Sequence, residues 1–411
     1  MSFGPILQIQ VGLDFGRGAE PLGKLALRDR KIYFEYEVDF ISRNLNVSPF
    51  QLPLKSGVQT FDNGLFKGLP GLFDDSLPDG WGRLLFDRTL RAQGLLPEQL
   101  SPLDRLAHVG NTGMGALTYK PDFSKPTIES DIDLDWLAAQ AAEVLEGDAD
   151  DVLTELLALN GSSAGERPKA LIGFNQKEKR IIYGAGATPE VFEPWIVKFA
   201  NTLDGIDAGA IEFVYAEMAR RAGIDMPQTH LFKAKQGAGY FATKRFDRFS
   251  GERLHMHTVC GLLHSDFRTP SLDYQDLIEL TTVLTRDMRE VEKMFRLAAF
   301  NVLSHNRDDH SRNFSFLMDE AGDWRLSPAY DLTFSSGPGG EQSTVLMGEG
   351  KAPHLQQLHA LGAVADLSKK NVAHILDQTL CALGDWPILA KEYGVKKNNV
   401  RLIGDRLGSG K

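Results

Sequence analysis

The chain has 411 residues, is 42% hydrophobic and 24% charged, and carries a formal net charge of −10. That length exceeds one small core and predicts two or three globular domains. No apolar run approaches the roughly 20 residues that cross a bilayer, which argues against a membrane protein. The acid excess argues against a chain that itself reads a phosphate backbone, so a seat on DNA would rest mainly on a basic partner.

Residues 1 to 7 hold neither a basic stretch nor a long apolar one, so no secretory signal is expected. Cys260 and Cys381 lie far apart without metal-ligand spacing. Both are expected to be reduced and at least partly buried, as in a cytoplasmic protein.

From the start to about residue 60 the pattern alternates as strands do. Leu7–Leu13, Lys24–Leu27 and Lys31–Tyr36 predict an antiparallel sheet. Leu77-Pro78-Asp79-Gly80-Trp81 opens a helix over 82–93, and a shorter helix covers 103–108. The glycine-rich turn 109–117 reads as a loop that lets backbones approach closely. A Pro/Ser linker, 121–127, marks a boundary, and two acidic amphipathic helices follow near 132–145 and 149–159, their acids on a solvated face.

Asn160 to Lys169 is small, flexible and ends in a cation. It leads into a strand, 170–174, and fails Walker spacing, so it suits a lid over nucleotide or a plain helix–strand connection. After a returning strand, 180–183, comes Trp195-Ile196-Val197-Lys198-Phe199, in which Lys198 faces away from Val197 and Phe199. A helix over 208–222 then offers Glu212 and Glu217. A strand lysine followed by a helix glutamate is how protein kinases hold nucleotide phosphates; a surface lysine at a strand end is the plainer alternative. A hairpin, 230–246, follows, with 243–246 as a candidate hinge for adenine. Arg245, Asp247 and Arg248 there fit a surface ion network equally well.

Helices over 277–284 and 291–303 lead to His305-Asn306-Arg307-Asp308-Asp309-His310-Ser311-Arg312-Asn313. A hairpin, 314–318 and 324–327, carries the chain to Tyr330-Asp331. Asp, four residues, Asn, hairpin, Asp is the kinase arrangement of catalytic base and two magnesium ligands. Mg²⁺ takes hard oxygens from one or two protein side chains together with substrate phosphates. Asn306 and Leu332-Thr333 depart from the usual kinase residues. A loose stretch, 335–343, stands at the activation-loop position, and helices resume at 354–361, 371–383 and 388–393.

Together these segments resemble the HipA family of toxin–antitoxin kinases. The carriers are Ser76–Trp81, the loop 161–169, Trp195–Phe199, Lys244–Arg248, His255-Met256, Asp308–Ser315 and Ser327–Asp331. The resemblance implies an α+β, kinase-like, two-lobed fold with a β-rich amino-terminal part and an all-helical carboxy-terminal lobe. The implied divisions are an amino-terminal subdomain (1–125), a nucleotide-binding lobe (126–250) and a catalytic lobe (251–411). It further implies a serine/threonine protein kinase using ATP and Mg²⁺, in which Asp308 is catalytic, Asn313 and Asp331 bind metal, and Lys198 pairs with Glu212. Ser162, Ser163, Gly165, Lys198, Lys244, Phe246 and His310 would contact ATP. Self-phosphorylation falls on Ser162, with Ser163 second, and the added charge would repel nucleotide and switch the enzyme off. The implied partners are a small DNA-binding antitoxin of HipB type, DNA mainly through that antitoxin, and a protein substrate, possibly of the translation apparatus. Two other readings stand beside this one: a metal-dependent phosphohydrolase built on His305, Asp308, Asp309 and His310, and a catalytically idle corepressor that bridges antitoxin dimers.

Overall fold

The computed structural model describes residues 5–61, 64–92, 94, 96–124, 129–130, 133–146, 156, 167–183, 191–201, 205–269 and 271–407. All of the acidic helix expected at 149–159 but Leu156, and most of the loop 160–169, with Ser162, Ser163 and Gly165, lie outside them.

The amino-terminal sheet contains β1 (Gln8–Leu13), β2 (Glu20–Arg28), β3 (Lys31–Tyr36), β4 (Gln59–Thr60) and β5 (Leu117–Lys120), in the order β4-β3-β2-β1-β5 and antiparallel throughout. Alternation does the work: Ile9, Val11, Leu25, Ile32 and Phe34 fall on the covered face and form a core with Leu72, Phe73 and Leu106. The helix Pro102–Val109 starts at a capping box, in which Ser101 and Asp104 satisfy each other's backbone N–H, and ends at Gly110 with φ 53°.

The second sheet comprises β6 (Glu129–Ser130), β7 (Lys169–Asn175), β8 (Arg180–Tyr183), β9 (Glu193–Lys198), β10 (Thr229–Phe232) and β11 (Tyr240–Lys244), in the order β10-β11-β9-β7-β8-β6. Trp195, Val197 and Phe174 pack on the helix Leu134–Glu146 and on Trp81 and Leu85 from the helix Gly80–Ala92. The largest core lies in the carboxy-terminal lobe, among the helices Ala208–Arg221, Tyr274–Thr285, Met288–Leu303 and Lys369–Gly384.

That lobe, expected as all-helical, also holds a three-stranded antiparallel sheet. His255–Thr258 pairs with Ser315–Met318, which pairs with Trp324–Leu326. The first of these strands was not expected, nor was the helix Lys397–Gly404. Cys260 is buried as expected, whereas Cys381 is exposed, because it lies on the solvent side of the helix Lys369–Gly384; both thiols are free. Among the described residues no helix is long and apolar enough to cross a membrane.

Candidate active site

The site forms where the second sheet meets the loop after the helix Met288–Leu303. Asp287 caps that helix through the Arg289 N–H at 2.9 Å, and its apolar steps (Val291, Met294, Phe295, Ala298) seat it in the large core. The chain then turns at His305, φ 58°, and the Asn306 N–H donates to the Asn301 carbonyl at 2.9 Å.

Lys198, at the end of β9, joins three elements. Its Nζ lies 2.5 Å from Asp331 Oδ1 and also bonds Glu212 Oε1 on the helix Ala208–Arg221. Burial opposes the ammonium, but the two carboxylates outweigh it and raise the Lys198 pKa. Burial likewise opposes the Asp331 carboxylate, yet Lys198 and then Lys169 hold its pKa far below the usual range. Arg167 Nη1 reaches Glu212 Oε2 at 3.5 Å. Glu217, the other helix acid, pairs instead with Arg220 three residues on.

Sequence reasoning marked Lys169 only as the cation that ends the loop 160–169. It is opposite Lys198 in the β7–β9 register, is 6% exposed, and is drawn down to a pKa of about 8, first by burial. Two lysines facing each other across strands repel, and Asp331 and Glu212 answer both. The available signal was strand alternation: a residue paired with Lys198 must share its face.

Asp308 and Asn313 close the loop on itself, with Asn313 Nδ2 donating to the Asp308 carbonyl at 2.6 Å. The Asp308 side chain is 59% exposed, with His310 Nε2 at 4.0 Å. The Tyr330 hydroxyl donates to the Arg312 carbonyl at 2.7 Å and lies 2.5 Å from Ser315 Oγ. Each end of that bond adjoins a candidate metal ligand, Asn313 on one side and Asp331 on the other. Phe246 packs 5.7 Å from the Tyr330 ring.

Geometry bears on three expectations. Lys244 stands opposite Trp195 in the register, hence on the face away from Lys198, and its ammonium bonds Glu193 Oε1 at 2.5 Å. Its side chain therefore lies on the opposite face of the sheet from Lys198, which leaves a backbone contact from the hinge 243–246 as the expectation. The network of Arg245, Asp247 and Arg248 has a buried centre: Asp247 is 0% exposed, Arg245 grips it at 2.7 and 2.9 Å, and Arg248 lies half-buried at its edge. Gly115 N–H, from the glycine-rich turn, donates to Asp247 at 2.8 Å, and Arg253 donates to the Gly115 carbonyl, so that turn is indeed a place of close backbone approach.

The hydrolase reading loses two of its four ligands. Asp309 is fully buried and accepts from the Tyr274 hydroxyl at 2.5 Å, Gln342 Nε2 at 3.0 Å and the Ser343 and Thr344 N–H groups. It anchors the segment after Asp331; burial lifts its pKa to about 6. His305 is tied to the Ser335 carbonyl at 3.1 Å. Among the described residues no group of three His, Cys, Asp or Glu side chains converges on a cation site.

A strand lysine locked to a helix glutamate, set against a loop acid from a second lobe, defines the kinase-like class of α+β folds. Residues 161–386 match the family model of the HipA-like C-terminal domain, and residues 17–120 match that of the HipA N-terminal domain. The chain belongs to the HipA family. HipA of Shewanella oneidensis MR-1, solved with HipB and its operator DNA, aligns with a TM-score of 0.70 over 98% of this chain and 95% of that one, at 17% identity; this likeness establishes the fold. The putative kinases Y4mE and Y4dM of Sinorhizobium fredii are 26% identical over 248 residues and 27% identical over 195. These alignments take in 57% and 44% of this chain and 51% and 45% of the relatives, so the chain spans about half the length of the curated relatives it matches.

Proposed function

We propose that the chain is an ATP-dependent serine/threonine protein kinase that acts as the toxin of a toxin–antitoxin module. The observation that carries this reading is the double engagement of Lys198, which draws β9, the helix bearing Glu212 and the loop bearing Asp331 to one point. Lys198 and Lys169 would face the nucleotide phosphates. Asp331 and Asn313 suit Mg²⁺, a carboxylate and an amide oxygen being hard donors that leave places for phosphate; Asn313 uses Nδ2 on Asp308, which leaves Oδ1 for a cation. A cation held by these two side chains would supply positive charge against the charge of the transferred phosphoryl group. Asp308, the exposed acid of the loop, would orient the acceptor hydroxyl and take its proton. Phe246, His310 and, through its backbone, Lys244 are the proposed further nucleotide contacts.

Self-phosphorylation at Ser162, or Ser163, would be the off-switch, since a phosphate on a lid repels the phosphates beneath it. The fold it shares with a HipA solved beside HipB and DNA supports a small antitoxin as partner. The charge of −10 supports DNA being held chiefly by that partner. A protein of the translation apparatus is the proposed target, on family resemblance.

Radiolabelled ATP with Mg²⁺ tests this. The wild type is expected to incorporate label and Asp308→Ala to lose it. The Ser162→Ala, Ser163→Ala double variant is expected to lose self-labelling yet keep its activity through prolonged incubation with ATP. An unlabelled wild type would leave only the corepressor role.

A further inference from the structure

We infer that Arg312 is a positioning residue through which the amino-terminal part of the chain sets the catalytic loop. The inference rests on the kinase reading above and adds to it a role for the segment 71–79.

Every carboxylate of that segment is directed into the catalytic lobe. Asp74 Oδ2 accepts from Arg312 Nη2 at 2.7 Å, and Asp79 accepts from Arg312 Nη1. Asp75 takes the other side: it accepts from the Thr258 N–H at 2.7 Å and the Thr258 hydroxyl at 2.6 Å, and it lies 2.6 Å from His257 Nδ1. His257 Nε2 is 3.0 Å from Ser48 Oγ, and the Gly71 N–H donates to His264 at 3.0 Å. Gly71 and Gly261 approach so closely that a Cβ on the first would collide with the carbonyl of the second.

The seam between the two parts is thus fastened without Arg312. What Arg312 adds is specific to the loop. Its side chain is 9% exposed, and its guanidinium lies 4.4 Å from the Phe267 ring. Its backbone sits directly before Asn313, and its carbonyl receives the Tyr330 hydroxyl next to Asp331. A planar guanidinium can serve two carboxylates at once in fixed directions, which a lysine ammonium on a flexible stem does not. The side chain therefore transmits the placement of Asp74 and Asp79 to the residue between Ser311 and Asn313. Misplacing a catalytic loop by about 1 Å lowers turnover by roughly a hundredfold.

The test is steady-state kinetics and thermal melting of the full chain as Arg312→Ala, Arg312→Lys and Asp79→Asn, with amide exchange read over residues 308–313. Arg312→Ala is expected to lower kcat roughly a hundredfold while KM for ATP stays within about twofold. Arg312→Lys should recover part of that loss. Asp79→Asn combined with Arg312→Ala should be no worse than Arg312→Ala alone, because the pair acts as a unit. Exchange over 308–313 should quicken in each single variant. Unchanged kcat, a rise in KM at constant kcat, or a loss that merely follows the folded fraction would each overturn the inference. A wild type without turnover defeats the kinase reading instead. Exchange then still decides the coupling, and an unaltered rate in Arg312→Ala and Asp79→Asn would sink it.

Discussion

Two lysines on adjacent strands of one sheet each pair with a glutamate, and the two pairs have little else in common. Lys198 and Glu212 are 11% and 3% exposed and meet a third partner, Asp331. Lys244 and Glu193 are 29% and 41% exposed and lie on the other face of the sheet. Both lysines end a strand, and both were candidates for nucleotide contact. The difference is one of register parity: Lys244 pairs with Trp195, so it shares the face from which Lys198 points away. A lysine gains chemistry from the elements that arrive on its side of the sheet.

The comparison can be broken or sharpened at three depths. The largest effect is expected for Lys198→Met, which removes the ammonium bonded to both Glu212 and Asp331 and leaves Lys169 as the cation they share. Stability should fall by about 3–5 kcal/mol in urea denaturation, and phosphate incorporation should vanish.

Next in size is the seam beneath the catalytic lobe. His255 is fully buried against the Val47 carbonyl at 2.9 Å, and burial first, then His257, depresses its pKa to about 3. The folded state refuses a proton that the unfolded chain accepts below about pH 6.5, so stability is complete above that pH and is lost as pH falls toward about 3. At pH 5 the loss should reach about 2 kcal/mol. A His255→Gln variant should show a shallower decline, and an identical pH slope would refute this assignment.

The smallest effect belongs to the rim pair: Lys244→Met should cost less than about 1 kcal/mol and leave phosphorylation within a few-fold of wild type. If it instead matched Lys198→Met, the contrast between the two faces would be lost.

Much of the architecture was legible because periodicity and hydropathy agree there. The strands around Val11, Phe34 and Val197 and the helix ending at Leu303 lie close to where their patterns put them. The strand His255–Thr258 was hidden because its buried side chains are polar: His255 and His257 are accommodated by Val47 and Ser48, some two hundred residues away. The helix Lys397–Gly404 was hidden by its narrow apolar stripe, with Ile403 its one fully buried side chain. In the candidate site, spacing alone singled out Asp308, Asn313 and Asp331; the structure sets Asn313 beside Asp308 and Asp331 beside Lys198. Asp309 was misread because a buried carboxylate and a metal-binding one look alike in sequence; only the hydroxyl of Tyr274 and the amides of Ser343 and Thr344 separate them. The pairing of Arg312 with Asp74 and Asp79 crosses more than 230 residues, a distance at which no local pattern speaks.

Met318, last residue of the strand Ser315–Met318, is buried in the amino-terminal core alongside Ile9 and Phe34, and Trp324 across the hairpin packs against the same core. The hairpin that delivers Asp331 is therefore rooted in both halves of the molecule. Trimming away the first 120 residues would not leave the remaining lobes as they stand. It would strip the oily footing from the very β-turn arm on which the second acid is carried.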